Sequence, residues 1–307
     1  MTFVPVVQGK KKMIRTLSST VKPESLIISV ISGTVGTALA ALHGPLHWDY
    51  YVLTILGIAL LHAGANVMND YFDYRNRIDT ADVPGSYATE GRVLIQKKLQ
   101  PRQVLCLSLI LFALSLPIGI YLTIVRGLPV MLLGVLGFLT GLFYTARPIA
   151  LKYIALGEPA VFLMFGPLMV TGAYYVQRGE FAGQAVWVSL PIGVLVALIL
   201  LANNIRDIQF DGRVGIHTLA TLLGRHRAVR FYESLVAGVY GVTALLVILG
   251  QLSIWASLTL FSLPLAFTLI KRLRTDIPKD ADARTAQLNT AFGVLLIIAI
   301  SLEKLIS

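Results

Sequence analysis

The stretch NVMNDYFDYRNRID, Asn66 to Asp79, closes an apolar run that begins at Tyr51 and breaks off abruptly into asparagines and acids. Asn66, Asn69, Asp70 and Asp73 stand at i, i+3, i+4 and i+7, so a continuing helix gathers them into one polar stripe. Far downstream, NNIRDIQFD repeats the theme: Asn203, Asp207 and Asp211 are spaced by four and again close an apolar run. Acids at the ends of membrane-length segments are costly in lipid, face a protein interior or a wet cavity, and mark function. What two such stripes hold together is the central question.

Working outward, 56% of the 307 residues are hydrophobic and only 14% charged, with a mean hydropathy of +0.74. That balance leaves the soluble class. Nine apolar runs approach spanning length: Ser25 to Leu42, Tyr51 to Asn69, Val104 to Val125, Leu128 to Tyr144, Ala155 to Val176, Ala185 to Asn203, Phe231 to Leu249, Ile254 to Ile270 and Leu288 to Leu302. They predict an all-α, polytopic membrane protein of about nine transmembrane helices around a central cavity, one domain over residues 1–307. Ala38-Leu39-Ala40 mimics a signal-peptide cleavage site, but the run is long and further spans follow, so an uncleaved first helix is simpler. Pro117, Pro167, Pro191 and Pro264 are expected to kink their helices, and Gly137 with Gly141 to pack two helices closely. The lone Cys106 excludes an intrachain disulfide and reads as a small core residue.

The net charge of +10 has a topological meaning. Of 26 Lys and Arg residues, 23 fall in the N-terminus and the second, fourth, sixth and eighth loops, leaving Arg126, Arg178 and Lys304 on the other side. The N-terminus (residues 1–22) is therefore expected in the cytoplasm, and no nucleic-acid partner is needed to explain the charge. Both acidic stripes end even-numbered helices, the second and the sixth, so they share the cytoplasmic end and can face one another. Segments 74–103 and 207–230 are expected as cytoplasmic lid loops, the first with an amphipathic middle from Arg92 to Leu99. Asn69 with Asp73 and Asn203 with Asp207 lie 134 residues apart, a hint of an internal repeat.

Carboxylate and amide oxygens are hard ligands, and Mg²⁺ characteristically binds one or two carboxylates together with substrate phosphate oxygens. Two facing clusters can thus hold a magnesium-bridged diphosphate. There is no paired CxxC and no HExxH for zinc, and no GxxxxGK[ST] loop. Paired intramembrane acids also serve ion-coupled transporters, the competing class, although transporter sites lie near the bilayer midplane rather than at one face.

With those residues in view, the sequence resembles the UbiA-type superfamily of intramembrane prenyltransferases, which carries an NDxxD-type motif in the second helix and a DxxxD motif in the sixth. Asn69, Asp70, Asp73 and Asp79 carry the first motif, and Asn203, Asp207 and Asp211 the second. NDYFDY, YTARPIALKYIALGE (Tyr144 to Glu158), FGPLMVTGAYYVQRG (Phe165 to Gly179) and HTLATLLG (His217 to Gly224) are similar to the branch that prenylates 1,4-dihydroxy-2-naphthoate for menaquinone. The step from Asp73 to Asp79 is six residues, which cannot keep one helical face, so the helix is expected to unwind after Tyr74.

The resemblance implies a polyprenyl diphosphate and a dihydroxynaphthoate-like aromatic acceptor as substrates, Mg²⁺ as cofactor, and a multi-pass location in a prokaryotic plasma membrane with its active site on the cytoplasmic side. Metal ligands would be Asp70, Asp73, Asp207 and Asp211. Tyr144 would stabilise an allylic cation with its ring, and Lys152 would assist the chemistry. Asn66, Asn69, Asp79, Arg77, Arg92, Lys97, Asn203, Arg206 and Arg213 would bind the diphosphate or line its site. Other quinone precursors and glycerol-type lipid alcohols are the alternative acceptors. His62, His217 and His226 read as structural, and Glu158 as a charge opposing a helix start.

Overall fold

The computed structural model describes residues 16–78 and 93–306. Asp79 and Arg92, both expected in the site, lie outside the described residues, as does the whole segment between them. Among the described residues the apolar runs are followed by α1 (Pro23–Leu42), α2 (Trp48–Arg75), α3 (Pro101–Arg126), α4 (Leu128–Phe143), α5 (Gly157–Arg178), α6 (Gly183–Val214), α7 (Arg225–Ile248), α8 (Ile254–Thr275) and α9 (Ala281–Ile306). Eight of them are long and apolar enough to cross a membrane. The exception is α4, whose 16 residues reach about 24 Å, short of a bilayer core.

The two helices that carry the acids run past the ends of their apolar stretches. Helix α2 continues through 28 residues to Arg75, and Arg77 then turns to a left-handed conformation (φ 59°), close to the predicted unwinding. Helix α6 continues through 32 residues to Val214, where Gly215 in the left-handed region stops it (φ 73°). The expected lid loop 207–230 is therefore largely helical: α6, a short helix Leu219–Leu223 and the first turns of α7 occupy most of it. Hydropathy ends a run at the first polar residue, whereas a helix persists as long as its polar groups find partners, which here they do. In the other expected loop, residues 93–99 form turns, and Val93, Leu94 and Leu99 bury themselves against Val67 and Val104.

Proline acts locally in three ways. Pro167 sits in a π-helical turn, Met164–Leu168, inside α5; Pro264 begins the α-helical part of α8 after a 3₁₀ segment, Ile254–Ser262; Pro117 and Pro191 lie within continuous helices.

Helices α1, α6 and α9 form the packed centre, where Val35, Leu39, Leu195, Leu198, Phe292 and Leu296 are inaccessible. Two crossings there depend on glycine. A Cβ on Gly36 would stand 2.1 Å from the Val170 carbonyl oxygen, and one on Gly193 would stand 2.7 Å from that of Phe162. Outward-facing aliphatics such as Leu116, Ile120, Ile124 and Leu132 remain exposed, as lipid contact requires. Cys106 joins that exposed face of α3 instead of the core expected for it.

Beside this packed cluster lies a cavity. It encloses about 370 Å³ between α2, α3, α4 and α5, and neither α1 nor α6 lines it. Gly137 and Gly141, expected to seal two helices together, instead help hollow this space, although Gly141 does approach Ala65. Gly134 faces open space.

Candidate functional site

Side chains on α2 descend from the end of the helix into the cavity. Asn69, Asn66, Ala65, His62, Leu61 and Ile58 share the lining face, so the wall changes from polar near the helix end to apolar at depth. Asp70 and Asp73 sit at the head of this stripe. Asp70, Asp73, Asp207 and Asp211 expose only 8%, 5%, 6% and 8% of their surfaces, so their charges need compensation.

Cations from three different segments supply it. Lys22, which caps α1, brings its Nζ to 2.6 Å from Asp70 Oδ1. Lys152 Nζ stands 2.6 Å from Asp73 Oδ2, and the Tyr153 hydroxyl donates to the other oxygen of the same carboxylate. Burial, and then the Asp73 charge, push the Tyr153 phenol above its ordinary pKa, which keeps it a neutral donor. Arg206 is a buried hub: Nε and Nη2 each reach an oxygen of Asp207 at 2.8 Å, Nη2 also donates to Asn203 Oδ1 at 2.6 Å, and Nη1 lies 2.8 Å from Asp282 Oδ1. Such bidentate guanidinium pairing is the geometry best suited to a dry carboxylate.

Lys152 and Tyr153 are aimed by a small clamp. The Tyr153 carbonyl accepts from His217 N at 3.2 Å, and the His217 carbonyl accepts from Ala155 N at 2.7 Å, a single β-bridge that ties the segment before α5 to the segment after α6. The Lys152 amide also donates to the Tyr144 carbonyl at 2.9 Å. These links close the distance between the two acidic stripes: Asp211 is within electrostatic reach of Asp207 and Asp73, and of Lys152 and Arg206. Tyr144 lines the cavity within reach of the charges of Lys152, Glu158 and Asp73, with the small Gly157 beside its hydroxyl.

Of the residues singled out in the sequence, Asn66, Asn69, Asp70, Asp73, Tyr144, Lys152, Asn203, Arg206, Asp207 and Asp211 thus gather at one end of the helix array. Asn66 Nδ2 donates to Ser25 Oγ at 2.8 Å, and Asn69 Oδ1 accepts from Thr145 Oγ1 at 2.8 Å. Arg77, Lys97 and Arg213 are exposed, and make no ion pair with these acids among the described residues. Lys22, Tyr153 and Asp282 were missed. Lys22 and Asp282 read as ordinary loop charges, yet the parity that places α2 and α6 together also places the starts of α1 and α9 beside them. Glu158 is more than a helix-start charge, since it accepts from Asn204 Nδ2 at 2.9 Å in a buried pair.

No group of three His, Cys, Asp or Glu side chains converges into a ready metal cage among the described residues. The donors are nonetheless all hard oxygens, in two opposed pairs, each already beside a cation that can pass to a phosphate. That set fits Mg²⁺ of the substrate-bridged kind, which takes few protein ligands and completes its shell with phosphate oxygens.

Comparison with known proteins follows the same line. The sequence profile described as the UbiA prenyltransferase family matches residues 29–294. The chain is 28% identical over 295 residues to a protein named 1,4-dihydroxy-2-naphthoate octaprenyltransferase from Bacillus subtilis (strain 168), covering 95% of this chain and 94% of that one. It is 32% identical to UbiA prenyltransferase domain-containing protein 1 of Dictyostelium discoideum, covering 92% of this chain and 86% of the other. Its fold is similar to that of an Archaeoglobus fulgidus UbiA homolog solved with GPP and Mg²⁺, with a TM-score of 0.63 at 16% identity over 93% of this chain and 99% of that one.

Proposed function

Because the chain belongs to the UbiA prenyltransferase family, and so is a multi-pass intramembrane prenyltransferase, we propose that it transfers a polyprenyl group from its diphosphate to 1,4-dihydroxy-2-naphthoate, releasing CO₂ and diphosphate on the way to menaquinone. One observation carries the reading: two opposed pairs of buried carboxylates, each beside a basic side chain, sit at the head of a cavity whose wall turns apolar with depth. A tail dissolves in such a cavity while the charged head remains at the polar end. Family membership sets aside the transporter reading. The excess of Lys and Arg around this end supports its lying in the cytoplasm.

In the mechanism we envisage, the diphosphate enters between the stripes, and Lys22, Lys152 and Arg206 shift their donors from carboxylates to phosphate oxygens. Asp70, Asp73, Asp207 and Asp211 would hold Mg²⁺, which when bound neutralises charge developing on the departing diphosphate. The allylic C–O bond breaks with its electron pair leaving on oxygen. Tyr144 faces the carbocation with its ring, and the apolar walls exclude water that would trap it. The electron-rich ring carbon bonds to the allylic carbon, and loss of CO₂ returns the carboxylate bond pair to the ring.

The test is a panel of acceptors offered to membranes with a polyprenyl diphosphate, products being identified by mass. Prenylated naphthoquinol and magnesium-dependent pyrophosphate release are expected with dihydroxynaphthoate, both abolished in Asp73→Ala and Asp207→Ala. Product formed only with another quinone precursor or with a lipid alcohol would transfer the assignment to that acceptor. The Dictyostelium relative, whose name specifies no acceptor, is the reason to include them.

A further inference from the structure

Helices α1 and α2 are joined face to face by three polar rungs. Asp70, Asn66 and His62 descend α2 in steps of four; their partners Lys22, Ser25 and Ser29 lie along α1 in the opposite sense. The lowest rung, Ser29 Oγ to His62 Nδ1 at 2.6 Å, lies eight residues below Asp70, about 12 Å along the helix. His62 is half-buried and lines the cavity, and Phe165 of α5 packs edge-on against its ring at 5.0 Å between centroids. Ser29 on one side and Phe165 on the other thus fix the plane of the imidazole. Its second nitrogen has no protein partner among the described residues.

We propose that His62 is a positioning residue for the acceptor, its free ring nitrogen hydrogen-bonding a hydroxyl of the hydroxylated aromatic ring. Three groups can occupy this space, and only one suits it. The diphosphate belongs higher up, with the cations at Asp70 and Asp73. The prenyl tail has no hydrogen-bonding atom, and would leave a half-buried imidazole nitrogen stripped of water without compensation. The acceptor ring must lie directly against the allylic carbon just below the diphosphate, which puts its hydroxyls along the stretch of α2 about two turns beneath Asp70. Ser29 settles which ring nitrogen is left over, as an outer partner orients a working histidine. The role assigned rests on the prenyltransferase reading above and names the side chain that selects a hydroxyl-bearing acceptor.

The test is steady-state kinetics of the full-length enzyme with both substrates varied. His62→Phe keeps the ring volume and the packing on Phe165 but removes both nitrogens. It is expected to raise the acceptor KM about fivefold or more, as the loss of one net hydrogen bond dictates, with the diphosphate KM unchanged within about twofold. His62→Gln, which restores a hydrogen-bonding end, is expected to recover part of the loss. An unchanged acceptor KM in His62→Phe, or parallel rises in both KM values, would overturn the assignment; if that variant does not fold, His62→Gln decides by the same split. Wild-type turnover with dihydroxynaphthoate reports separately on the functional reading. Should the wild type prefer another hydroxylated acceptor, the split is measured with that one, and the role of His62 stands or falls independently.

Discussion

Arg206 shows how much one side chain can carry at this site. Its guanidinium satisfies Asp207 twice, Asn203 once and Asp282 across to α9, while exposing only 7% of its side chain. Arg206→Ala would take a bound cation away from two buried carboxylates, so a loss of stability of about 3–5 kcal/mol is expected, read as a lowered thermal midpoint in detergent. Arg206→Lys keeps the charge but cannot form the fork; it should fold better than Arg206→Ala and still lose prenyl transfer. Tyr153→Phe removes one donor from Asp73 and leaves Lys152 in place, so a fall of about five- to tenfold in kcat/KM is expected, with folding little changed. Since the phenol of Tyr153 stays protonated above its usual range, its contribution holds below the ordinary tyrosine pKa and fades only as pH rises through the raised value. A rate profile from neutral to mildly alkaline pH should therefore show no limb that disappears in Tyr153→Phe. At this scale the sequence was legible where spacing repeated: the i, i+4 acids announced themselves. Lys22, Tyr153 and Asp282 did not, because a lone charge or phenol beside a membrane segment has an ordinary explanation until its partner is known.

Helix extension and close crossing are the decisive facts at the level of the element. Eight of the nine apolar runs located helices of membrane-spanning length and the other the shorter α4, but α2 and α6 outlast theirs, so Asp73, Asp207 and Asp211 ride on rigid helix instead of loop. Hydropathy could not show this, since it registers what a residue prefers and not which partner it meets. The crossings were equally hidden, because a glycine in an apolar run does not reveal which backbone it touches. Gly193→Ala sets a methyl against the Phe162 carbonyl on α5, and Gly36→Ala sets one against Val170; in both, the obstacle is backbone that cannot rotate aside. Each should cost about 1–3 kcal/mol, measurable as a reduced thermal midpoint, whereas alanine at Gly238, which meets nothing within 4 Å, should be tolerated.

Across the whole molecule, composition and charge placement disclosed an all-α membrane protein with both acidic stripes at one end, but not which helices wall the cavity. Pattern records which faces are apolar without saying which of them meet, and here α1, α6 and α9 meet in one closely packed cluster. A hollow lies among α2 to α5, with Gly134 and Gly137 of the short α4 forming part of its wall. Replacing Gly134 by Leu should shorten the longest prenyl diphosphate accepted, seen as a lower ceiling in a donor series of increasing chain length, with pyrophosphate release from the shortest donors preserved. The walls of this hollow also bear on two heritable traits. The second pair of acids is anchored on α6, which does not line the hollow, so under the proposed function mutations in α3 or α4 would re-gauge the lipid attached while leaving that pair, on its own helix, to pass unaltered to descendants.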